Sequence, residues 1–374
     1  MTPLFEQLQM LESASTSSLL QNTSPAAVSA VIGKTRLQID DLALLLSPGS
    51  DELLEEMAQR ANGITQARFG NAVSLYAPLY ISNKCSGTCP YCGFKRTEKI
   101  KRKTLSLEEV ISEGDALSRS GIQHVLLVTG DCPGNGVDFL CDAARQLKKT
   151  FPSVTVEIPP LEQSEYAQLI EAGVDGVTLY QETYNKEVYD FLHKGSPKDN
   201  YMYRLDALSR AGAAGIRKLN VGVLWGLSDW RGDALKLALH ARFLEKTCWR
   251  SQVLIGMPRL HKVPGDFTIP HPVCNRDFAH IVMAMRLFLH DAGIVVSTRE
   301  RPEFRDNLLA IGATQFSAGS KTEPGGYSVQ EDTSSAGGAQ FEIDDHRSPK
   351  TVEQDLSKLG YDPVFKDWDR GFIS

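Results

Sequence analysis

Residues 106–131, SLEEVISEGDALSRSGIQHVLLVTGD, hold one helix and one strand in succession. Ser106-Leu107-Glu108-Glu109 is a capping box, in which a Ser hydroxyl and a Glu three residues on satisfy free backbone N–H groups of a first helical turn. Val110, Ile111 and Leu117 follow as the apolar positions of that helix, and His124 to Thr129 is a short apolar strand. The unit recurs along the chain. Further strands are expected at Val73 to Ile81, Val154 to Ile158, Gly176 to Gln181, Leu219 to Trp225, Gln252 to Met257, Ile294 to Thr298 and Thr314 to Ser317, with helical runs between them. Eight strands alternating with helices predict an α/β fold of the (β/α)8 TIM type, whose chemistry sits at the C-terminal strand ends.

Working outward, residues 1–71 read as a helical extension, with Ser24 and Pro25 opening one helix and Asp51 beginning another after a Pro-Gly turn. The barrel is expected over 72–320. Residues 321–374 are expected to form a C-terminal loop and helical segment, in which Glu331 to Arg347, rich in Ser, Gly and Asp, reads as a surface loop. The net charge of −6 over 374 residues gives no basic footprint for nucleic acid, so metabolites or proteins are the expected partners. No run reaches the ~18 apolar residues of a membrane span, and the first thirty residues lack a secretory pattern. Seven cysteines, three of them crowded together, point to metal ligands in a reducing cytoplasm and away from disulfides.

Those three are Cys85, Cys89 and Cys92, a CxxxCxxC word directly after the first expected strand. Three thiolates can bind three irons of a [4Fe–4S] cube and leave the fourth open to a ligand. A structural zinc site is the alternative, but zinc closes with four ligands and no second cysteine or histidine pair is present. Cys132, Cys141, Cys248 and Cys274 have no partner at ligand spacing and read as small buried hydrophobes.

CxxxCxxC with Tyr91 before its last cysteine resembles the radical S-adenosylmethionine superfamily. The resemblance implies that S-adenosylmethionine chelates the open iron through its amino and carboxylate groups, that Tyr91 packs by the adenine, and that one electron splits the sulfonium to give a 5′-deoxyadenosyl radical. It assigns Gly130 and Asp131 to the cofactor's amino group, with Asp one methylene shorter than the usual Glu. Glu157 falls to the ribose or sulfonium end, Arg204 to the carboxylate, and the backbone of Gly222 to Gly226 to the adenine edge. Taken singly, a strand-end acid can equally cap the next helix, and a helix Arg can be a surface ion pair.

Longer words, among them Arg68-Phe69-Gly70-Asn71, Lys101-Arg102-Lys103-Thr104-Leu105, Gln181-Glu182-Thr183-Tyr184, Ser297-Thr298-Arg299-Glu300, Ser320-Lys321-Thr322-Glu323-Pro324-Gly325-Gly326-Tyr327 and Lys366-Asp367-Trp368, resemble the 2-iminoacetate synthases, the tyrosine lyases of thiazole formation. The resemblance implies L-tyrosine as substrate, p-cresol and 2-iminoacetate as products, an electron donor of flavodoxin or ferredoxin type, and thiazole synthase as protein partner. A zwitterion needs an anchor, and a planar guanidinium grips a carboxylate bidentately. Arg299, expected across the mouth from the cysteine loop, is the candidate, with Ser317 or Ser320 assisting and an ion pair to Glu300 or Glu303 as its alternative. Gln181 to Tyr184 is expected to bring an acceptor, an amide and a phenol to the mouth, with Glu182 toward the substrate phenol or the ribose. The run Lys99 to Lys103 reads as a solvated face or a dock for an acidic electron donor. Tyrosine-cleaving hydrogenase maturases share the barrel words but carry further C-terminal cysteines, whereas none follows Cys274 here. A tryptophan lyase and a non-catalytic iron–sulfur or zinc protein remain the other readings.

Overall fold

The computed structural model describes residues 3–12, 18, 20, 24–132, 136–263, 266–328 and 337–365. The 106–109 capping box forms as the sequence dictates: Ser106 Oγ accepts from the Glu109 N–H at 3.3 Å, and Glu109 Oε2 accepts from the Ser106 N–H at 2.8 Å. The helix Leu107–Arg119 leads into a strand at His124–Thr129. In chain order the strands are β1 (Ala72–Ser82), β2 (His124–Thr129), β3 (Ser153–Glu157), β4 (Gly176–Glu182), β5 (Lys218–Val223), β6 (Gln252–Gly256), β7 (Gly293–Val296), β8 (Gln315–Ser317) and β9 (Asp362–Val364). Neighbours from β2 round to β8 and β1 are all parallel, and β1 also pairs with β2, so eight strands close a barrel. The eight expected strands are present with ends within two residues of the sequence reading. β9 was not expected; it pairs in parallel with the first residues of β1 at the barrel base.

Ser24 caps the helix Pro25–Ile32 as expected, whereas the next long helix starts at Leu54, because Pro48–Ser50 first makes a 3-10 turn. These N-terminal helices lie on the barrel's helix layer and are tied to it by polar contacts that close off free carbonyls. Arg242 donates to Leu37 O at 2.7 Å, Arg231 to Leu46 O at 2.8 Å, and His280 bonds Leu45 O at 2.6 Å. One apolar core runs from Leu4 through the strands to Leu356. Among the described residues no helix is long and apolar enough to cross a membrane.

The expected surface loop is corrected in its described part, 337–347; its residues 331–336 and the Lys366-Asp367-Trp368 word lie outside the described residues. Residues 337–345 form a strap across the barrel mouth. Gly338 N–H donates to Lys101 O, Gln340 N–H to Thr322 O and Asp344 N–H to Thr298 O, each at 2.9 Å. Asp345 is fully buried, where it accepts from Arg305 and from Arg347 at 2.8 Å. Arg305, equally buried, also donates to Ser317 O of β8 at 2.6 Å. Composition alone marks this stretch as polar, and Glu342 and Asp344 do pair with exposed Lys262, but the Asp345 charge is satisfied inside the protein.

Asp345→Leu should strand the Arg305 charge and cost about 3–5 kcal/mol in urea unfolding, since a buried ion left unpaired carries its full desolvation penalty. The double variant Arg305→Met/Asp345→Leu should recover much of that loss. A double variant no more stable than Asp345→Leu would remove the pair from its holding role.

Candidate active site

The loop after β1 is built by backbone bonds before any cofactor is considered. Asn83, fully buried, donates through Nδ2 to Lys101 O at 2.8 Å and Gly338 O at 3.0 Å, and accepts from the Lys103 N–H at 2.7 Å. Arg102 donates to four carbonyls: Asn83 at 2.7 Å, Phe94 at 2.9 Å, Lys95 at 2.6 Å and Glu98 at 3.2 Å. Five fixed donors let one guanidinium organise a loop that has no ladder of its own. The expectation of a solvated basic run therefore fails at Arg102 and holds for exposed Lys99 and Lys101.

The folded loop sets Cys85, Cys89 and Cys92 on the wall of a cavity of about 970 Å³ at the C-terminal ends of the strands. A Cβ at Gly87 would sit 3.1 Å from Cys85 Sγ and 3.8 Å from Cys89 Sγ, so the glycine keeps the space beside these sulfurs open. At Gly130 a Cβ would meet Lys84 O at 2.4 Å, which is why β2 can pass so close behind the loop. Burial pushes the Cys92 thiol up to about 11, and a thiolate there needs positive charge of the kind iron supplies. Among the described residues no three His, Cys, Asp or Glu side chains converge on a single ion. A cube asks for no such convergence, because each thiolate binds its own iron. Cys141 and Cys248 are buried elsewhere, Cys274 caps the helix Asn275–Phe288, and none of these, nor Cys132, lines the cavity.

Tyr91, Gly130, Asp131, Glu157, Glu182, Arg204 and Arg299 share the cavity wall with the cysteines. Tyr91 is fixed by His193, 2.6 Å from its hydroxyl. His193 Nδ1 lies 2.8 Å from Tyr189 O, which only accepts, so Nδ1 carries the proton, Nε2 accepts, and the Tyr91 hydroxyl donates. Burial, with Lys198 nearby, lowers His193 to about 4, which keeps it neutral in this role.

Glu182 ends β4 with a φ of 71°, a left-handed backbone that no other described non-glycine residue adopts. The turn brings its Oε1 to Lys198 Nζ at 2.5 Å and Arg204 Nη2 at 3.2 Å. Burial alone would raise its carboxyl, but Lys198 and Arg204 overcome this and hold it at about 2. Arg204 also donates through Nε to Tyr180 O at 2.7 Å. The rest of the expected quartet turns away: Thr183 Oγ1 donates to Asp233 at 3.0 Å, the Tyr184 hydroxyl meets His240 at 2.7 Å, and Gln181 is buried outside the cavity. Thr178, Leu179, Tyr180 and Glu182 of β4 line the cavity, and Gln181 falls at the register shift between Tyr180 and Glu182.

A second cavity of about 450 Å³ adjoins the first and shares Glu157, Tyr180, Arg299 and Phe341 with it. Ser317 and Ser320 line only this smaller chamber. Ser317 Oγ accepts from the Thr298 N–H at 3.0 Å, whereas the buried Ser320 Oγ has no hydrogen-bond partner among the described residues. Arg299 follows β7, two strands from β1, so it enters from the flank and not from across the mouth. Its guanidinium lies 3.4 Å from the centre of the Phe341 ring. Among the described residues no carboxylate pairs with it; Glu300 instead pairs with Arg259 and with His261 at 2.9 Å. Glu157, at the junction of the chambers, is pushed by burial to about 7, with Arg299 pulling the other way.

Gly222 does not join these residues: its Cα faces the Tyr180 ring, where a Cβ would meet Cδ1 at 2.7 Å, and Leu224 reaches the cavity in its place. Lys198, His193, Gln340 and Phe341 are not singled out by the sequence, and Arg102 is only part of a basic run there. A Lys or His far from the cysteine word carries no local signal of its place in the fold.

Residues 79–238 match the model of the radical SAM superfamily, and residues 256–362 that of the biotin and thiamin synthesis associated domain. The 2-iminoacetate synthases of Salmonella typhimurium and Escherichia coli are 39% and 38% identical, each over 94% of this chain and 92% of the relative. The X-ray structure of the FeFe-hydrogenase maturase HydG from Carboxydothermus hydrogenoformans superposes with a TM-score of 0.85 at 29% identity, covering 97% of this chain and 83% of that one.

The depressed Glu182 carboxyl makes a prediction about acid stability. A carboxylate held below its unfolded value stabilises the fold fully above about pH 4.5, and that contribution is lost as pH falls toward 2. Glu182→Gln should therefore lower stability at neutral pH by on the order of 3 kcal/mol and flatten the acid limb of the pH–stability curve. Parallel curves for both proteins between pH 5 and pH 2 would contradict the pairing.

Proposed function

The chain belongs to the radical SAM superfamily and, within it, to the 2-iminoacetate synthase family, and on that premise we propose that it cleaves the Cα–Cβ bond of L-tyrosine to p-cresol and 2-iminoacetate. The observation that carries the reading is the pair of joined chambers, one walled by three cysteines and the other by Arg299 and two serines. When bound, a [4Fe–4S] cluster and S-adenosylmethionine supply one electron and a carbon radical able to take hydrogen from the substrate, leaving 5′-deoxyadenosine and methionine.

Cys85, Cys89 and Cys92 hold the cluster, and the larger chamber takes the cosubstrate. Lys198 and Arg204, already balanced by Glu182, present positive charge to its carboxylate, and Asp131 accepts from its amino group. Tyr91, fixed by His193, and Leu224 offer apolar surface to the adenine. Glu182 lines the larger chamber and not the smaller, which supports a role on the cosubstrate side.

Arg299 holds the tyrosine carboxylate. Phe341 covers one face of its guanidinium and leaves the N–H edge to form a bidentate pair. Ser320 Oγ, buried without a partner, and Ser317 complete the polar end of the smaller chamber. Glu157 titrates near neutrality at the junction, so its carboxylate can take a proton from the substrate ammonium and leave a neutral amine to lose hydrogen. Tyr76, Tyr80 and Tyr180 supply aromatic walls for the phenol ring.

The electron comes from a low-potential donor of flavodoxin or ferredoxin type. Exposed Arg96, Lys99 and Lys101 beside the cysteine loop support an acidic partner there. The product is an imine that water hydrolyses, which supports direct hand-over to thiazole synthase for the thiazole of thiamine.

Anaerobic incubation of the reconstituted protein with tyrosine and tryptophan in parallel should give p-cresol and 2-iminoacetate from tyrosine alone. Cleavage of tryptophan in preference would replace the reading with that of a related aromatic amino-acid lyase. Arg299→Lys keeps the charge but loses the planar fork, so p-cresol should fall ~100-fold while 5′-deoxyadenosine still forms. Loss of both products together, with iron content intact, would move Arg299 to the cosubstrate.

A further inference from the structure

We infer that Gln340, on the C-terminal strap, is a positioning residue that donates a hydrogen bond to the Cys92 sulfur and joins the smaller chamber to the cluster through Tyr80. Gln340 Nε2 lies 3.8 Å from Cys92 Sγ, and the Tyr80 hydroxyl lies 2.6 Å from Gln340 Oε1. The two contacts fix the amide's orientation. A thiolate only accepts, so the N–H2 end must face it, and the carbonyl end is left for a donor. Tyr80 serves as that donor because burial holds its phenol well above the ordinary range, and so protonated.

The strap's backbone sets the residue in place independently of its side chain. Gly93 N–H, one residue past Cys92, donates to Gln340 O at 3.0 Å, and Gln340 N–H donates to Thr322 O at 2.9 Å. A Cβ at Gly93 would meet Gln340 O at 2.4 Å, so the loop and the strap are in direct backbone contact. The next residue, Phe341, carries the Arg299 guanidinium on its ring. Two adjacent strap residues therefore touch a cluster ligand and the substrate anchor. Tyr80 and Phe341 both line the smaller chamber, so a molecule bound there meets the far end of the Tyr80–Gln340–Cys92 chain.

A hydrogen bond to a ligating sulfur draws charge from the cluster and favours its reduced state, raising the potential. This inference rests on the cluster reading above. The test is the midpoint potential of the anaerobically reconstituted full chain, followed by EPR without cosubstrate, together with iron content. Gln340→Met matches the side chain in length but has no N–H, and should shift the potential to more negative values at full iron content. Tyr80→Phe, which loosens the amide without removing its donor, should shift it less in the same direction. Gln340→Asn keeps the amide without its reach, and repeats the first test should the Met variant not assemble a cluster. Potentials equal to the parent's in the Gln340 variant that assembles overturn the inference alone. A parent chain that takes up no cluster overturns the inference and the reading beneath it.

Discussion

The parallel pairing of β1 with β2 on one side and β8 on the other is the constraint on which the site depends. It turns an open row of βα units into a ring, so that eight loops converge over one mouth. β1 is also the longest strand, and its register shifts between Tyr80 and Ser82, just where the chain must leave the ring for the cysteine loop. The loop is then held by what flanks it: Arg102 gathers its carbonyls and buried Asn83 links it to the strap. Three thiolates at CxxxCxxC spacing become a usable set only because this scaffold fixes the backbone between them.

Electrostatics divides the mouth into two parts. On the β4 side buried Glu182 is shared by half-buried Lys198 and buried Arg204, which leaves net positive charge facing the larger chamber. On the β7 side Arg299 faces Glu157 through space and rests on Phe341, with no direct carboxylate partner among the described residues. A fully paired arginine would have little left for a ligand, whereas one held by an aromatic face keeps its N–H edge available. The two cationic centres thus differ in kind, and the difference suits one to a cosubstrate carboxylate and the other to a substrate carboxylate.

The eight strands are legible because most are runs rich in Val, Ile and Leu bounded by turn residues, as burial on both faces requires. The cysteines and the polar residues at strand ends were legible for a related reason, since a barrel fixes which end of a strand faces the mouth. Nearness in sequence does not give Gln181, Thr183 and Tyr184 the face of Glu182: Gln181 sits beside it in the strand, and past the left-handed turn that ends β4 Thr183 and Tyr184 bond Asp233 and His240 of the helix Trp230–Thr247. Gly222 was read as an open backbone edge, but it is the gap into which the Tyr180 ring packs. The strap was misread for the opposite reason. Ser, Gly and Asp suggest a solvated loop, and nothing local reveals that Asp345 meets Arg305, forty residues before it, in full burial. Long-range polar pairing leaves no periodic trace.

The strap also explains how one cavity can serve two molecules in a radical reaction. The substrate must sit close enough to the cosubstrate to lose one particular hydrogen, and misplacement by ~1 Å can cost ~100-fold in rate. Walls made only of strand-end loops could drift independently. Here the strap is bonded to the cysteine loop at Gly93, to the loop after β7 through Thr298 and to the helix Pro302–Leu309 through Arg305. It thereby fixes Arg299 relative to Cys92 by way of adjacent residues, Phe341 and Gln340. A displacement of the strap beneath Arg299 would break bonds that also hold the cysteine loop, so the separation between the two chambers is set by the same contacts that build each of them.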